Sequence, residues 1–157
     1  MAAPWKANVT VAAIVERDGR FLVVEEQTAD GVCLNQPAGH LDPGETLLEA
    51  VKREALEETA CSFVPSALLG VYMARSYPAN GGEAVTYVRF AFVGTTGEPT
   101  GRALDDGILR TLWLDANEIR SRISQHRSPL VMKCVEDYLA GQRFPLTLVY
   151  THPSVSS

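Results

Sequence analysis

The sequence predicts an α/β fold, because apolar runs typical of strands alternate with segments that carry helix-capping signals. The chain of 157 residues suits one domain with a hydrophobic core, and its hydrophobic content of 46% is ordinary for a globular protein. No internal repeat or low-complexity linker divides it. We therefore expect residues 1–157 to form a single domain, with residues 151–157 as a mobile tail.

The N-terminal part is predicted to begin with a β-hairpin. Residues 9–15 and 21–25 are apolar and rich in residues that favour strands. Asp18-Gly19 between them is a strong signal for a hairpin turn. Residues 27–31 are expected to form a loop, and residues 35–40 a tight connection into a helix.

That helix has a clear predicted start. Thr46 followed by Glu49 matches a capping box, and Pro43-Gly44 forms the turn before it. The apolar stripe of the helix consists of Leu48, Val51 and Ala55. Because these residues recur at spacings of three and four, one face of the helix can be buried.

The C-terminal part is predicted to mix strands with two further helices. Strands are expected at residues 67–74, 86–93 and 108–114, with loops at 78–82 and 94–107. Asp115 is a suitable N-cap for a short helix to Ile123. A final helix is expected from Ser128-Pro129 to about Leu139, and Gly141 would end it.

Charge and cysteine content argue against several classes of protein. The formal net charge is −5, whereas binding to a nucleic-acid polymer normally requires a basic patch. The three cysteines have no CxxC spacing, so we expect reduced thiols, no structural zinc and a cytoplasmic location. No apolar run approaches a membrane span of about 18 residues, and the N-terminus lacks the layout of a signal peptide.

The most informative stretch crowds three carboxylates together. Glu54, Glu57 and Glu58 have spacings that place them on one face of a helix. Like charges in this arrangement repel one another, but a hard divalent cation bound by oxygen ligands would reverse that effect. The alternative is an exposed acidic helix, in which Lys52 and Arg53 pair locally.

This stretch resembles the signature of the Nudix hydrolase family. The match comprises Gly39, five residues, Glu45, seven residues and then the sequence Arg-Glu-Ala-Leu-Glu-Glu at 53–58. Ala60 is a departure, because the family usually has glycine there, which eases the end of a helix. The resemblance implies an α/β/α sandwich around a mixed β-sheet, with the signature as a loop–helix–loop.

The resemblance also implies a metal site. Glu57 and Glu58 would be ligands, Glu54 a ligand or the general base, and the Gly39 carbonyl a further oxygen donor. Mg²⁺ is the expected ion and Mn²⁺ a possible substitute. Which glutamate deprotonates the attacking water stays open.

An Arg53–Glu45 pair is expected to orient the glutamates. The alternative is an ordinary surface salt bridge, worth under about 1 kcal/mol. Asp105 and Asp106 precede a strand where many relatives supply an extra carboxylate, although an acidic pair in a loop often faces solvent.

Other polar residues are weaker candidates for substrate contacts. They are Glu25, Gln36, His40, Arg75 and Arg89. The two arginines are suited to phosphate groups, but Arg75 can equally be solvated and Arg89 can pair with an acid on the outer face of the sheet. Glu25 can likewise be solvated, and His40 can be satisfied by the backbone. Tyr72, Tyr77 and Tyr87 are candidates for stacking on a ring, with core packing as the alternative.

A narrower resemblance, to bacterial phosphatases of the same family, extends over nearly the whole chain. It rests on residues 21–26, 35–41, 127–130 and 141–146. It implies release of orthophosphate from nucleoside tri- and diphosphates and from the pyrophosphates of thiamine or its pyrimidine precursor. The alternatives are hydrolysis of ADP-ribose or dinucleoside polyphosphates, and a non-catalytic nucleotide sensor. We expect a small phosphorylated substrate and a monomer or homodimer.

Overall fold

Eight strands and three α-helices make up residues 1–156, the part of the chain that this computed structural model describes. The strands are β1 (Asn8–Ile14), β2 (Glu16–Arg17), β3 (Arg20–Thr28), β4 (Gly31–Asn35), β5 (Ala38–His40), β6 (Phe63–Ser76), β7 (Val85–Thr96) and β8 (Ile108–Asp115). The α-helices are α1 (Leu47–Thr59), α2 (Ala116–Ser121) and α3 (Leu130–Leu139). Short 3₁₀ turns cover Ile123–Gln125, Leu146–Leu148 and Pro153–Val155.

The strands divide between two four-stranded sheets. The first has the order β5-β1-β7-β6 and is mixed, because β1 and β7 are parallel while the other two pairs are antiparallel. In the second, β3 pairs with β2 and β4 along one edge and with β8 along the other, all antiparallel. The predicted mixed sheet is thus present, and a second sheet accompanies it.

Strand β1 organises the core because both of its faces are buried. Ala12 and Ile14 pack in the cluster that includes α3, whereas Val11, Ala13 and Val15 pack in the cluster that includes α1. Side chains alternate between the faces of a strand, so an unbroken apolar run can serve two helical layers. This arrangement confirms the predicted α/β/α sandwich.

Several local predictions are confirmed. Asp18 and Gly19 both have positive φ, 52° and 82°, as a type I′ hairpin turn requires. Thr46 and Glu49 form the capping box at the start of α1, and Asp115 forms one with Glu118 at the start of α2. Ala60, the departure from the family pattern, takes the left-handed conformation that glycine would favour, with φ 61°.

Other predicted boundaries were wrong. Most of the loop expected at 27–31 is strand, because β3 runs to Thr28 and β4 begins at Gly31. The connection expected at 35–40 contains the short strand β5, which is stabilised by pairing with β1. The loop expected at 94–107 begins only after Thr96, since β7 continues its pairing with β6 to that residue.

The predicted tail is described as far as residue 156. Within it, the His152 side chain accepts a hydrogen bond from the Ser154 backbone at the start of the last 3₁₀ turn. The remaining residue of the predicted tail, Ser157, lies outside the described residues. No helix within residues 1–156 combines the length and apolar character needed to cross a membrane.

Candidate active site

A cavity of about 620 Å³ lies beside helix α1 and above the first sheet. Its lining residues come from strands of both sheets, from α1, and from the segment that leads into α3. Charged residues of opposite sign line it: Glu26, Glu54 and Glu58 are acidic, and Arg75, Arg89 and Arg127 are basic. The cavity can therefore receive an anionic ligand together with a cation, because the arginines attract the anionic groups and the acidic residues attract the cation.

The acidic wall is built where α1 packs against β5. A Cβ atom placed on Gly39 would lie 2.1 Å from Cδ of Glu54, so the carboxylate rests directly against the bare glycine backbone. Glu58 accepts a hydrogen bond from the Ala38 N–H at 2.9 Å. Both glutamates are buried, which is contrary to the exposed acidic helix considered as an alternative.

Burial and mutual repulsion disfavour the charged forms of these two carboxylates. Burial raises the pKa of Glu58 to about 8, against the opposing Ala38 hydrogen bond, and the nearby charges of Glu54, Glu26 and Asp105 raise it further. Burial also raises the pKa of Glu54, although the hydrogen bond from Arg53 opposes the shift. A positive ion beside them would relieve the repulsion.

Arg53 connects the acidic residues of the signature. Its Nε is 2.5 Å from Glu45 and its Nη1 is 2.8 Å from Glu54, while Nη2 donates to the His40 carbonyl at 2.9 Å. The hydrogen bond from Arg53 holds the pKa of Glu45 below its usual range. The predicted Arg53–Glu45 pair is present, and Arg53 binds the loop and the helix together.

Glu57 differs in orientation from the other two glutamates. It does not line the cavity, and its carboxylate lies 3.4 Å from Nη1 of Arg53. Within residues 1–156, no group of three acidic, histidine or cysteine side chains converges closely enough to hold an ion. The donor set still fits a hard cation, because Glu54, Glu58 and the Gly39 backbone form one oxygen-rich wall. Glu57 would have to leave Arg53 to join them.

The basic residues lie on other parts of the cavity lining. Arg89 is only 5% exposed and donates to the side-chain oxygens of Asn35 at 2.9 Å and Gln36 at 2.8 Å. It does not pair with an acid on the outer face of the sheet, which was the alternative. Arg75 lies 5.7 Å from the ring centroid of Tyr77.

Glu25 was a candidate for substrate contact, and the structure places it elsewhere. It is buried, does not line the cavity, and forms ion pairs with Arg110 and with Arg122, the latter at 2.6 Å. The next residue, Glu26, lines the cavity and lies 3.5 Å from Arg127. The reason is the alternation of β3, which turns adjacent side chains to opposite faces.

The remaining candidates fall into two groups. His40, Tyr77 and Tyr87 line the cavity, and the His40 and Tyr87 rings are 6.1 Å apart. The side-chain oxygen of Gln36 accepts a hydrogen bond from Arg89. The Tyr72 hydroxyl donates to Asp137 at 2.8 Å, and Tyr72 belongs to the core.

The acidic pair predicted in the loop before β8 is exposed. The Asp105 N–H donates to the Glu57 carbonyl at 2.9 Å, so this residue lies close to the glutamates of α1, and its charge raises the pKa of Glu58. Asp106 does not line the cavity.

Sequence reasoning missed six polar residues of the cavity. They are Thr10, Glu26, Asn35, Ser76, Arg127 and Ser128. Strand alternation, applied to the adjacent acids of β3, offered a choice between Glu25 and Glu26 but no rule for making it. The approach of Arg127 and Ser128 depends on the long-range packing of α3, for which the sequence carries no local signal.

Comparison with known proteins extends the match from the signature to most of the chain. The NUDIX domain model matches residues 5–134. The chain is 38% identical over 147 residues to the Phosphatase NudJ of Shigella boydii, which covers 92% of each protein.

Two solved structures are similar as well. A NUDIX hydrolase from Nitrosomonas europaea is 47% identical, with a TM-score of 0.87 over 94% of this chain and 98% of that one. The MutT NUDIX hydrolase from Burkholderia pseudomallei is 25% identical, with a TM-score of 0.69 over 85% of this chain and 98% of that one. Since the family model and the relatives agree over most of the chain, this protein belongs to the Nudix family and is a Nudix hydrolase.

Proposed function

We propose that this protein is a Mg²⁺-dependent hydrolase of pyrophosphate bonds in small phosphorylated molecules. Its expected action is that of a phosphatase, which releases orthophosphate from nucleoside tri- and diphosphates and from thiamine-type pyrophosphates. The proposal is carried by one observation, the composition of the cavity. It has an acidic wall at Gly39, Glu54 and Glu58 and three arginines elsewhere on its lining. The similarity to proteins named Phosphatase NudJ supports the phosphatase outcome.

The proposed metal site uses the acidic wall. Glu54, Glu58 and the Gly39 carbonyl would hold the ion, and Glu57 would join them from its position beside Arg53. When bound, Mg²⁺, or Mn²⁺ in its place, offsets phosphate charge and lowers the pKa of a bound water. Each donor is an oxygen, which is the ligand type these hard ions prefer.

The protein's own residues would orient the substrate and move the proton. Arg75, Arg89 and Arg127 line the cavity, where guanidinium groups can bind phosphate oxygens. Arg53 restrains Glu54 through the hydrogen bond from its Nη1 at 2.8 Å, so this carboxylate, as ligand or as general base, is held in a fixed place. His40, Tyr77 and Tyr87 would contact the base or ring of the substrate.

A panel of phosphorylated compounds tests the substrate class. We expect orthophosphate from GTP, GDP and thiamine diphosphate in the presence of Mg²⁺ and none in excess EDTA. ADP-ribose and dinucleoside polyphosphates would instead yield two phosphorylated fragments. Release of such fragments without orthophosphate would contradict the phosphatase proposal, and binding without any turnover would point to a nucleotide sensor.

Glu57→Gln tests the role of the third glutamate. The substitution removes one negative charge and keeps the shape of the side chain, so we expect turnover to fall by about 100-fold or more with little change in the thermal midpoint. Glu136→Gln is the matched control, because Glu136 is exposed on α3 and does not line the cavity. A rate for Glu57→Gln close to that of the unmodified enzyme would reject the metal assignment.

We place the enzyme in the cytoplasm, where its three cysteines would remain reduced. The support is that Cys33, Cys61 and Cys134 are free thiols in the described part of the chain.

A further inference from the structure

Arg89 is a buried positive charge that faces the cavity. Its exposed fraction is 5%, and it lies on β7 in the middle of the first sheet. A buried charge is costly unless a group of opposite sign compensates it. None of the ion pairs formed within residues 1–156 includes Arg89.

The groups that hold Arg89 are neutral amides. Its Nη2 donates to Oδ1 of Asn35 at 2.9 Å, and its Nη1 donates to Oε1 of Gln36 at 2.8 Å. Gln36 is fixed in turn, because its Nε2 donates to the carbonyl of Val131 on α3 at 2.8 Å. The two amides therefore orient the guanidinium without neutralising it.

The nearest thiol does not compensate the charge either. Cys134 Sγ lies 3.8 Å from Nη1 of Arg89 and is completely buried. Burial raises the pKa of this thiol, although the charge of Arg89 opposes the shift. The thiol therefore remains protonated and neutral at physiological pH.

The register of the sheet separates Arg89 from the acidic wall. His40, Thr10 and Arg89 are partners across β5, β1 and β7, and all three line the cavity. Neighbouring strands are about 4.8 Å apart, so the backbones at His40 and Arg89 are about 10 Å apart. A ligand in the cavity can thus contact Gly39 and Glu54 at one end and Arg89 at another.

We propose that Asn35 and Gln36 are positioning residues that keep Arg89 uncompensated, so that its guanidinium binds a phosphate group of the substrate away from the acidic wall. The proposal rests on the proposed function, because it takes the ligand to be a phosphorylated molecule. It also assigns the amide pair a purpose: a carboxylate at either position would occupy Arg89 and compete with the phosphate.

Anion binding without metal tests this assignment. The experiment measures the affinity of the full-length protein for inorganic pyrophosphate and for GDP by calorimetry in excess EDTA. Asn35→Asp keeps the size of the side chain and gives Arg89 a permanent ionic partner. We expect it to weaken binding of both ligands by about 10-fold to 100-fold, which is the effect of losing a charge-assisted hydrogen bond. The protein should remain folded, because the new pair is favourable.

Arg120→Gln is the matched control. It changes the net charge by the same amount, and Arg120 is exposed on α2, outside the cavity. We expect this variant to bind both ligands like the unmodified protein. Equal weakening in the two variants would mean that only the overall charge matters, which would overturn the proposal.

A second pair of variants distinguishes phosphate binding by Arg89 from a purely structural role of this residue. Arg89→Lys keeps the charge and should bind pyrophosphate more tightly than Arg89→Gln does, whereas a role limited to packing predicts no such rescue. With Mg²⁺ and GDP, Asn35→Asp should raise KM and leave kcat within a few-fold. An unchanged pyrophosphate affinity in Asn35→Asp, or no binding to the unmodified protein in EDTA, would overturn the proposal.

The two proposals fail in different ways. If Asn35→Asp loses pyrophosphate binding but neither it nor the unmodified protein releases phosphate with Mg²⁺, the role of Asn35 in phosphate binding by Arg89 is supported and the proposed activity is not. If the unmodified protein releases phosphate with Mg²⁺ and Asn35→Asp still binds pyrophosphate normally without metal, the proposed activity is supported and the role of Asn35 in phosphate binding by Arg89 is not.

Discussion

Gly39 and Glu54 are in such close contact that the absence of a side chain at residue 39 is itself part of the site. A Cβ there would lie 2.1 Å from Cδ of Glu54 and 2.3 Å from both of its carboxylate oxygens. These atoms are the far end of a flexible side chain, so the clash can be relieved if Glu54 moves. The backbone at Gly39 has no positive φ, so alanine is compatible with the strand itself.

We therefore predict that Gly39→Ala damages activity far more than stability. Displacing Glu54 should lower phosphate release with Mg²⁺ by about 100-fold, with a shift of the thermal midpoint of only a few degrees. Gly97→Ala is the control, because a Cβ at Gly97 meets no atom within 4 Å. An active Gly39→Ala enzyme would mean that the position of Glu54 is not critical.

At this scale the sequence predicted one wall of the cavity better than the rest. The helical spacing of Glu54 and Glu58 and the position of Gly39 in the signature are local patterns of the sequence. The structure contains the helix and places all three residues on one wall of the cavity. The burial of Arg89 is not local, because it depends on how β7 pairs with β1 and on the amides of Asn35 and Gln36. An arginine in a strand looks the same in sequence whether it faces a cavity or solvent.

At the scale of elements, Glu25 joins three segments of the chain that are distant in sequence. It lies on β3, and its carboxylate pairs with Arg110 of β8 and with Arg122, which follows α2. The hydrogen bond from Arg110 is the main reason that the pKa of Glu25 is lowered, and Arg122 adds to the effect against the cost of burial. This carboxylate is therefore charged in the folded protein over a wider pH range than in the unfolded chain.

We predict that Glu25→Gln destabilises the fold in a pH-dependent manner. Because Arg110 is well exposed and solvent screens its charge, we expect a loss of about 1–2 kcal/mol in the free energy of unfolding at pH 7. A lowered folded pKa gives stability that is present above the unfolded value, near 4.5, and is lost as the pH falls through the folded value. The gap between the two proteins should therefore shrink below about pH 4.5.

Urea unfolding from pH 3 to pH 8 measures this gap. Glu83→Gln is a suitable control, because Glu83 is exposed in the loop before β7 and takes part in none of the ion pairs of residues 1–156. A difference between Glu25→Gln and the unmodified protein that stays constant down to pH 3 would show that charge is not its source.

The elements that the sequence predicted well have strong local signals. Asp18-Gly19 specifies its turn through positive φ, and the capping boxes at Thr46 and Asp115 mark helix starts. Strand β5 has only three residues, and its existence depends on pairing with β1. No local preference of so short a segment could predict that pairing.

At the scale of the whole molecule, the sandwich places an acidic helix and a basic strand position around one cavity although the chain is acidic overall, with a net charge of −5. Long-range attraction by an acidic protein does not favour an anionic substrate, so recognition has to be local. The division into two sheets, which the sequence did not predict, contributes to this because β3 and β4 supply Glu26 and Asn35 to the cavity. The oligomeric state stays a prediction, a monomer or homodimer.

If metal and phosphate bind together in this cavity, they should stabilise the entire fold by linkage. At a ligand concentration about 100 times Kd the gain is about 2.7 kcal/mol, which for a chain of this size corresponds to about 5–10 °C in the thermal midpoint. We predict such a shift with Mg²⁺ and a GTP analogue whose phosphates are joined by methylene bridges, so that turnover does not consume the ligand. In EDTA only the arginines of the cavity lining can bind the phosphates, so the rise in the thermal midpoint should be less than half as large. An equal shift with and without Mg²⁺ would mean that the acidic wall holds no ion when the nucleotide binds, and the hydrolytic mechanism proposed for it would fail.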